Sequence, residues 1–351
     1  MTVKVIIQRK RQGALWGVSL FFVVLVAGLF YVKWNPYYHK VLLAASKHFI
    51  GNSIITGKEA QPPAPSWGAA VNYAIQYFKS VWQAVVLGLL VGSLVQVLIP
   101  KDWIIKIFGS DNRHSTLVAG LMAVPSMMCS CCAAPVVAGL RKQRASLGAA
   151  LAYWLGNPVL NPAVIIFTGF VLSWKFSLLR LVMGLVLVFG VSSLTGKLMK
   201  EDVEYGDIFQ IDTGSAGGNL MVRWVKALWR LILESIPPYL IAVLLLGGVR
   251  AWLFPAVNPA WTNSILLMVV LSITGALFMI PTAAEIPIVQ SLMSFGLGIG
   301  PASALFMTLP AVNVPSILML RRYFPRKVLV LVFIAVIVCG IASGLLASIL
   351  L

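Results

Sequence analysis

Residues 130–161 read SCCAAPVVAGLRKQRASLGAALAYWLGNPVLN, and residues 282–313 read TAAEIPIVQSLMSFGLGIGPASALFMTLPAVN. The two stretches align without a gap. Pro135 falls on Pro287, Leu140 on Leu292, Gly148 on Gly300, Ala150 on Ala302, Pro158 on Pro310 and Asn161 on Asn313. Proline, glycine and asparagine matched inside apolar sequence mark corresponding interruptions of the backbone. An earlier match pairs Ser80, Gly92 and Pro100 with Ser235, Gly247 and Pro255.

The chain around these stretches is apolar throughout. Of 351 residues, 60% are hydrophobic, against a usual figure of roughly 45–50%. Charged residues make up 11%, against about 25%. Mean hydropathy is +0.93. Such a chain cannot cover its surface with polar groups, which excludes a soluble enzyme, a disordered tail and a disulfide-stapled secreted domain. The fold class is an all-α polytopic membrane protein. The net charge of +17 fits basic loops kept on the cytoplasmic side beside anionic headgroups. It does not point to nucleic acid, because no basic segment carries interleaved aromatics on a folded module. Of the four cysteines, three are clustered at Cys129, Cys131 and Cys132, and Cys339 stands alone, which is no disulfide framework.

A span needs about 20 apolar residues. The pattern predicts a first span from Ala14 to Val32, preceded by Lys4, Arg9, Lys10 and Arg11, with the N-terminus in the cytoplasm. Residues 35–72 are expected on the outer side, with Val41 to Ile50 as a short amphipathic helix in the interface. Further spans are expected near 74–99, 116–140, 145–173, 176–198, 225–253, 263–294, 300–320 and 328–350, about nine in all. Gly88 and Gly92 read as close helix packing. The expected organisation is residues 1–72 as a leading unit, 73–199 as repeat one, 200–222 as a flexible acidic and Gly-rich linker on the outer side, and 223–351 as repeat two. Each repeat has four spans, including broken or re-entrant helices. One conflict stands: the span count puts Arg141, Lys142 and Arg144 outside, and re-entry of the preceding segment would return them.

Repeats with interrupted helices in corresponding positions point to a transporter with its site at the repeat interface. Pro135, Pro158, Pro162, Pro281, Pro287 and Pro310 are the expected helix breakers. Asn161 followed by Pro162 reads as an N-cap and first-residue pair, and Thr282 with Glu285 fits a capping box. Cys129 and Cys132 share a helical face and would suit a soft ligand or soft metal, while Cys131 points elsewhere. Asn157, Asn161 and Asn313 either bind substrate or close the broken backbone. Glu285, a carboxylate deep in apolar sequence, is the expected proton-coupling residue. The chain holds no P-loop, H-E-x-x-H or G-x-S-x-G, and no enzymatic activity or cofactor is expected.

Cys129-Ser130-Cys131 with Pro135 and Gly139-Leu140, then Gly156-Asn157-Pro158 and Asn161-Pro162, resemble the ArsP-type predicted permeases, most of all their YraQ-like branch. Pro281, Glu285-Ile286-Pro287 and Pro310-Ala311-Val312-Asn313 resemble that family's second half. The resemblance covers roughly residues 74–351. It implies a multi-pass permease of the cell (inner) membrane, with the lipid bilayer and a small-molecule substrate as partners, and a homo-oligomer or accessory subunit as further options. Some members export trivalent organoarsenicals, for which Cys129, Cys131 and Cys132 would be the contacts. Two other readings remain open: a transmembrane thiol/disulfide electron carrier, and the membrane subunit of a larger permease.

Overall fold

The computed structural model describes residues 17–56, 62–110, 112–199, 220–254 and 264–351. Inside hydrocarbon each backbone polar group must find a partner in protein, so apolar sequence of this density folds as helices. Among the described residues the regular elements are all helical. In chain order they are α1 (Gly17–Lys47), α2 (Trp67–Leu98), α3 (Lys101–Phe108), α4 (Arg113–Ala123), α5 (Ser130–Lys142), α6 (Leu147–Val159), α7 (Pro162–Val171) and α8 (Trp174–Leu198). Then come α9 (Leu220–Leu253), α10 (Ile265–Leu277), α11 (Glu285–Ser294), α12 (Ile299–Ala311), α13 (Val314–Leu320) and α14 (Arg326–Leu350). Seven stretches are long and apolar enough to cross a bilayer: α1, α2, α6 with α7, α8, α9, α12 with α13, and α14.

Two of the nine expected spans take another form. Residues 116–140 are not one helix. A 3-10 turn at Val124–Ser126 follows α4, Met127 adopts φ 50°, and α5 starts afresh. Residues 263–294 divide in the same way, with Ala283 at φ 71° between α10 and α11. Pro125 and Pro281 lie in these two turns, where a residue without an N–H ends helical bonding.

Each pair of short helices is a hairpin that returns to the end it left. After α5, Gln143 Nε2 donates to the carbonyls of Val95 at 3.3 Å and Gln96 at 2.6 Å, near the C-terminus of α2. The Ser146 amide bonds the Phe108 carbonyl just ahead of α4. In the second hairpin α10 runs parallel to α12, with Met268 against Gly300 and Gly275 against Thr308. The far end of α11 is tied to the end of α1 through Gln290 Nε2 and the His48 carbonyl, 3.3 Å. His48 Nδ1 in turn pairs with the Phe170 carbonyl at the end of α7, 2.6 Å. One hairpin therefore enters from the end bearing Lys101, Arg113, Arg144 and Arg321, and the other from the opposite end.

This settles the charge conflict. Arg141 Nε donates to the Tyr323 carbonyl at 3.2 Å, so the basic residues at the C-terminal end of α5 share an end with the basic loop Arg321–Lys327. Two expectations need correction. The first concerns the described flanks of the acidic segment, expected on the outer side. Helix α8 runs antiparallel to α6 and α7, with Ser177 at Ile165, Gly184 at Val159 and Val188 at Gly156, so Leu198 ends at the basic end. Leu220 and Arg223 lie there too, beside Gln96 and Lys101. Residues 200–219 themselves lie outside the described residues, as do the basic residues before Gly17. The second correction concerns Val41–Ile50: α1 is continuous through Lys47, so the segment up to there is the top of α1 and not a separate interfacial helix.

Close approach seats the first hairpin. A Cβ at Gly88 would collide with the Cys132 carbonyl, and one at Gly92 with the Pro135 carbonyl. In hydrocarbon such small-residue contacts are what bring helices together. Single cysteines replacing Arg144, Arg322 and Trp174, labelled with a membrane-impermeant maleimide in sealed vesicles, test the topology. Positions 144 and 322 are expected to label from one side and position 174 from the other. Labelling of 144 together with 174 would contradict the hairpin.

Candidate substrate site

Four interruptions of the chain meet at one place in the bundle: the bend 124–129, the step from α6 to α7 at Leu160–Asn161, the turn 278–284, and the step from α12 to α13 at Val312–Asn313. Cys129, Ser130, Pro158, Thr282, Glu285 and Asn313 line a common cavity there. It measures ≈ 10 Å³, room for about one water, so the site is closed. Helices α5, α7 and α11 begin at or beside it, and their first N–H groups carry partial positive charge.

The expected site residues divide into those that close backbone and those that face the cavity. Asn161 caps α7, its Oδ1 accepting from Ala163 N at 3.1 Å and Val164 N at 3.4 Å, with Pro162 as first helical residue. Asn313 caps α13 reciprocally with Ser316 and donates through Nδ2 to Ser130 Oγ at 2.8 Å. Asn157 accepts from the Met128 amide at 3.3 Å and donates to the Tyr153 carbonyl, fastening α6 to the bend before α5. Cys129 is the N-cap of α5; its sulfur accepts from the Cys132 amide and lies 2.9 Å from Cys132 Sγ. Cys131 turns away and donates to Asn313 Oδ1 at 3.0 Å. All four cysteines are free thiols. Among the described residues no three His, Cys, Asp or Glu side chains converge as a metal site. A soft-metal contact would therefore rest on the Cys129–Cys132 pair.

The prolines are less uniform than expected. Pro162 starts a helix, and Pro281 lies in the turn before α11. Pro135 sits inside α5, and Pro158 and Pro310 sit inside the last turns of α6 and α12, so these three do not mark the breaks themselves. Pro287 lies in the first turn of α11, where a missing N–H costs nothing. Thr282 and Glu285 form no capping box. The N-cap of α11 is Ala284, which has no side-chain bond.

Glu285 instead pairs with a residue that the sequence pattern did not single out. Arg180 Nη2 lies 3.0 Å from Glu285 Oε1, with side chains 1% and 2% exposed. Arg180 also donates to the carbonyls of Pro158 at 2.9 Å and Val159 at 3.3 Å, the last turn of α6, and stands over the Phe306 ring. A lone arginine amid an apolar span was the available signal. Lys33 is the second omission. Its Nζ donates to Thr282 Oγ1 at 3.2 Å and to Tyr37 OH at 3.4 Å.

Removing one partner of a buried ion pair leaves the other charge uncompensated, at a cost of about 3–5 kcal/mol. Arg180→Gln and Glu285→Gln are each expected to lower the Tm of the purified protein markedly. The double variant should lose less than the sum of the two. Full additivity, or an unchanged Tm, would contradict the pairing.

A family model described as "Predicted permease" (ArsP_1) matches residues 66–349. The chain is 50% identical over 332 residues to UPF0718 protein YraQ of Escherichia coli K12, covering 95% of each chain. It is 23% identical over 337 residues to UPF0718 protein MJ0584 of Methanocaldococcus jannaschii, covering 75% of this chain and 91% of that one. No solved structure matches. With its interrupted helices and the match spanning nearly all of them, the chain belongs to the ArsP_1 predicted permease family.

Proposed function

We propose that this permease is a secondary transporter exporting a small soft, thiol-reactive or anionic solute, an organoarsenical being one such solute, through the cavity where the four interruptions meet. The observation that carries this reading is the pair of hairpins entering from opposite ends and stopping at the same closed cavity. At the shift that aligns the sequences, α6 and α12 have the same bounds, α5 and α11 end together, and α7 and α13 begin together. Yet α6–α7 and α12–α13 run in opposite directions, which supports two inverted repeats, 73–199 and 223–351. Rocking of such halves about a fixed site is the usual route to alternating access. The basic end is the cytoplasmic one by the positive-inside rule.

In this reading Cys129 and Cys132 meet a soft solute as an adjacent thiol pair, and Asn161 and Asn313 hold the backbone open around it. Glu285 couples a proton: protonation of its carboxyl releases Arg180, and loss of the proton restores the pair. The 2.9 Å between Cys129 and Cys132 sulfurs also favours a second reading, a thiol/disulfide electron carrier. Against it, the other two thiols face Asn313 and Met183, and neither extends a relay.

The test is uptake of a trivalent methylarsenical by everted vesicles carrying the full chain. Cys129→Ser with Cys132→Ser is expected to reduce the rate at least tenfold, and Glu285→Gln to abolish its dependence on an imposed pH gradient. Undiminished flux in both variants would remove the site.

A further inference from the structure

The family match begins at residue 66, so α1 lies outside it. Much of α1 presents exposed apolar side chains, including Leu20, Val23, Val26, Phe30 and Tyr31. Lys33 breaks this pattern: it is 5% exposed and points inward. The cause is local. Pro36 has no N–H, and its ring would meet the carbonyl four residues back, at Val32. The helix widens into a π-turn at Phe30–Trp34, one turn ahead of that proline. That turn delivers Lys33 Nζ to Thr282 Oγ1, a residue of the cavity wall, within electrostatic range of Cys129 and Cys132.

The charges at this buried centre do not cancel. Counting Lys33 and Arg180 as cations, Glu285 as an anion and the thiols as neutral leaves one positive charge in surplus. A charge out of water is costly unless paired. Three side-chain atoms of this centre also stand buried and without partners: the donors Arg180 Nη1 and Asn161 Nδ2, and the acceptor Glu285 Oε2. Idle donors outnumber the idle acceptor, and together with the surplus cation they make a site short of an anion.

We infer that Lys33 is a specificity-determining residue supplied by α1, and that the solute carried by this chain is a small anion whose charge Lys33 balances beside the thiol pair. The inference rests on the cavity being the transport site, and narrows its solute from soft or anionic to anionic. It also explains what α1 contributes, since the added helix sets the charge of what the site accepts.

Thiol modification by reagents of opposite charge tests this without knowledge of the natural solute. The purified full chain in detergent is treated with sulfonatoethyl methanethiosulfonate, an anion, or trimethylammonioethyl methanethiosulfonate, a cation. Peptide masses report rates at Cys129 and Cys132. The ratio of the two rates cancels any change in thiol ionisation. Wild type is expected to favour the anion at least about tenfold, as a unit charge in a weakly screened site should produce. Lys33→Gln should bring the ratio to about one or below, and Lys33→Arg should keep it. Lys33→Met, apolar and of similar length, serves where the glutamine variant fails to fold. A wild-type ratio near one, or a ratio unmoved by losing Lys33, overturns the inference while leaving the transport site standing. Thiols that react with neither reagent in the folded chain but do so once it is denatured overturn the transport site itself.

Discussion

Backbone N–H and C=O groups freed by a helix break have no water to turn to inside a bilayer. Among the described residues, three of the four interruptions are closed by a capping side chain, and the way each is closed builds the centre of the molecule. Asn161 and Asn313 cap the helices that follow them, and Cys129 caps α5 with its sulfur. Asn157 reaches across to the Met128 amide, and Arg180 takes up carbonyls at the end of α6. Because the breaks satisfy one another across elements, they cannot be scattered through the bundle. They gather at one point, and the cavity follows.

The same constraint joins distant parts of the chain. Cys131 and Ser130 bond Asn313, and Arg180 bonds Glu285, so the polar contacts at the centre tie residues 130–180 to residues 285–313. In the proposed transport reading, ligand groups, charge compensation and the moving interface would be the same few residues. A solute entering this cavity would meet donors already oriented by the backbone they close, at little reorganisation cost.

Much of this was legible in the residues. Asn161-Pro162 marked a helix start inside apolar sequence, and the matched prolines and glycines of 145–161 and 297–313 fell in helices α6 and α12. The hairpins were harder to see. Residues 116–140 have the length and composition of a plain span, and only the misplaced charges of Arg141, Lys142 and Arg144 argued for re-entry. The capping box at Thr282 and Glu285 fitted the pattern but lost to tertiary context, because Arg180 claims the carboxylate and Lys33 the hydroxyl. Lys33 was the least legible. Its place depends on α1 continuing past Pro36, whereas the apolar run alone ends at Val32. The chain flanking the acidic stretch 200–222 ends at the basic end for a related reason: the first hairpin, counted as a span, changes which end each later loop occupies.

The central claim is that the tip of the first hairpin touches the break between α12 and α13. A chain with Cys129, Cys132 and Cys339 replaced by serine, Asn313→Cys, and a protease site within 200–219 tests this directly, since Cys131 Sγ lies 3.0 Å from Asn313 Oδ1. After mild oxidation and cleavage, the two fragments should remain joined on a denaturing gel and separate only with reductant. Fragments that separate without reductant would contradict the convergence on which the whole account stands.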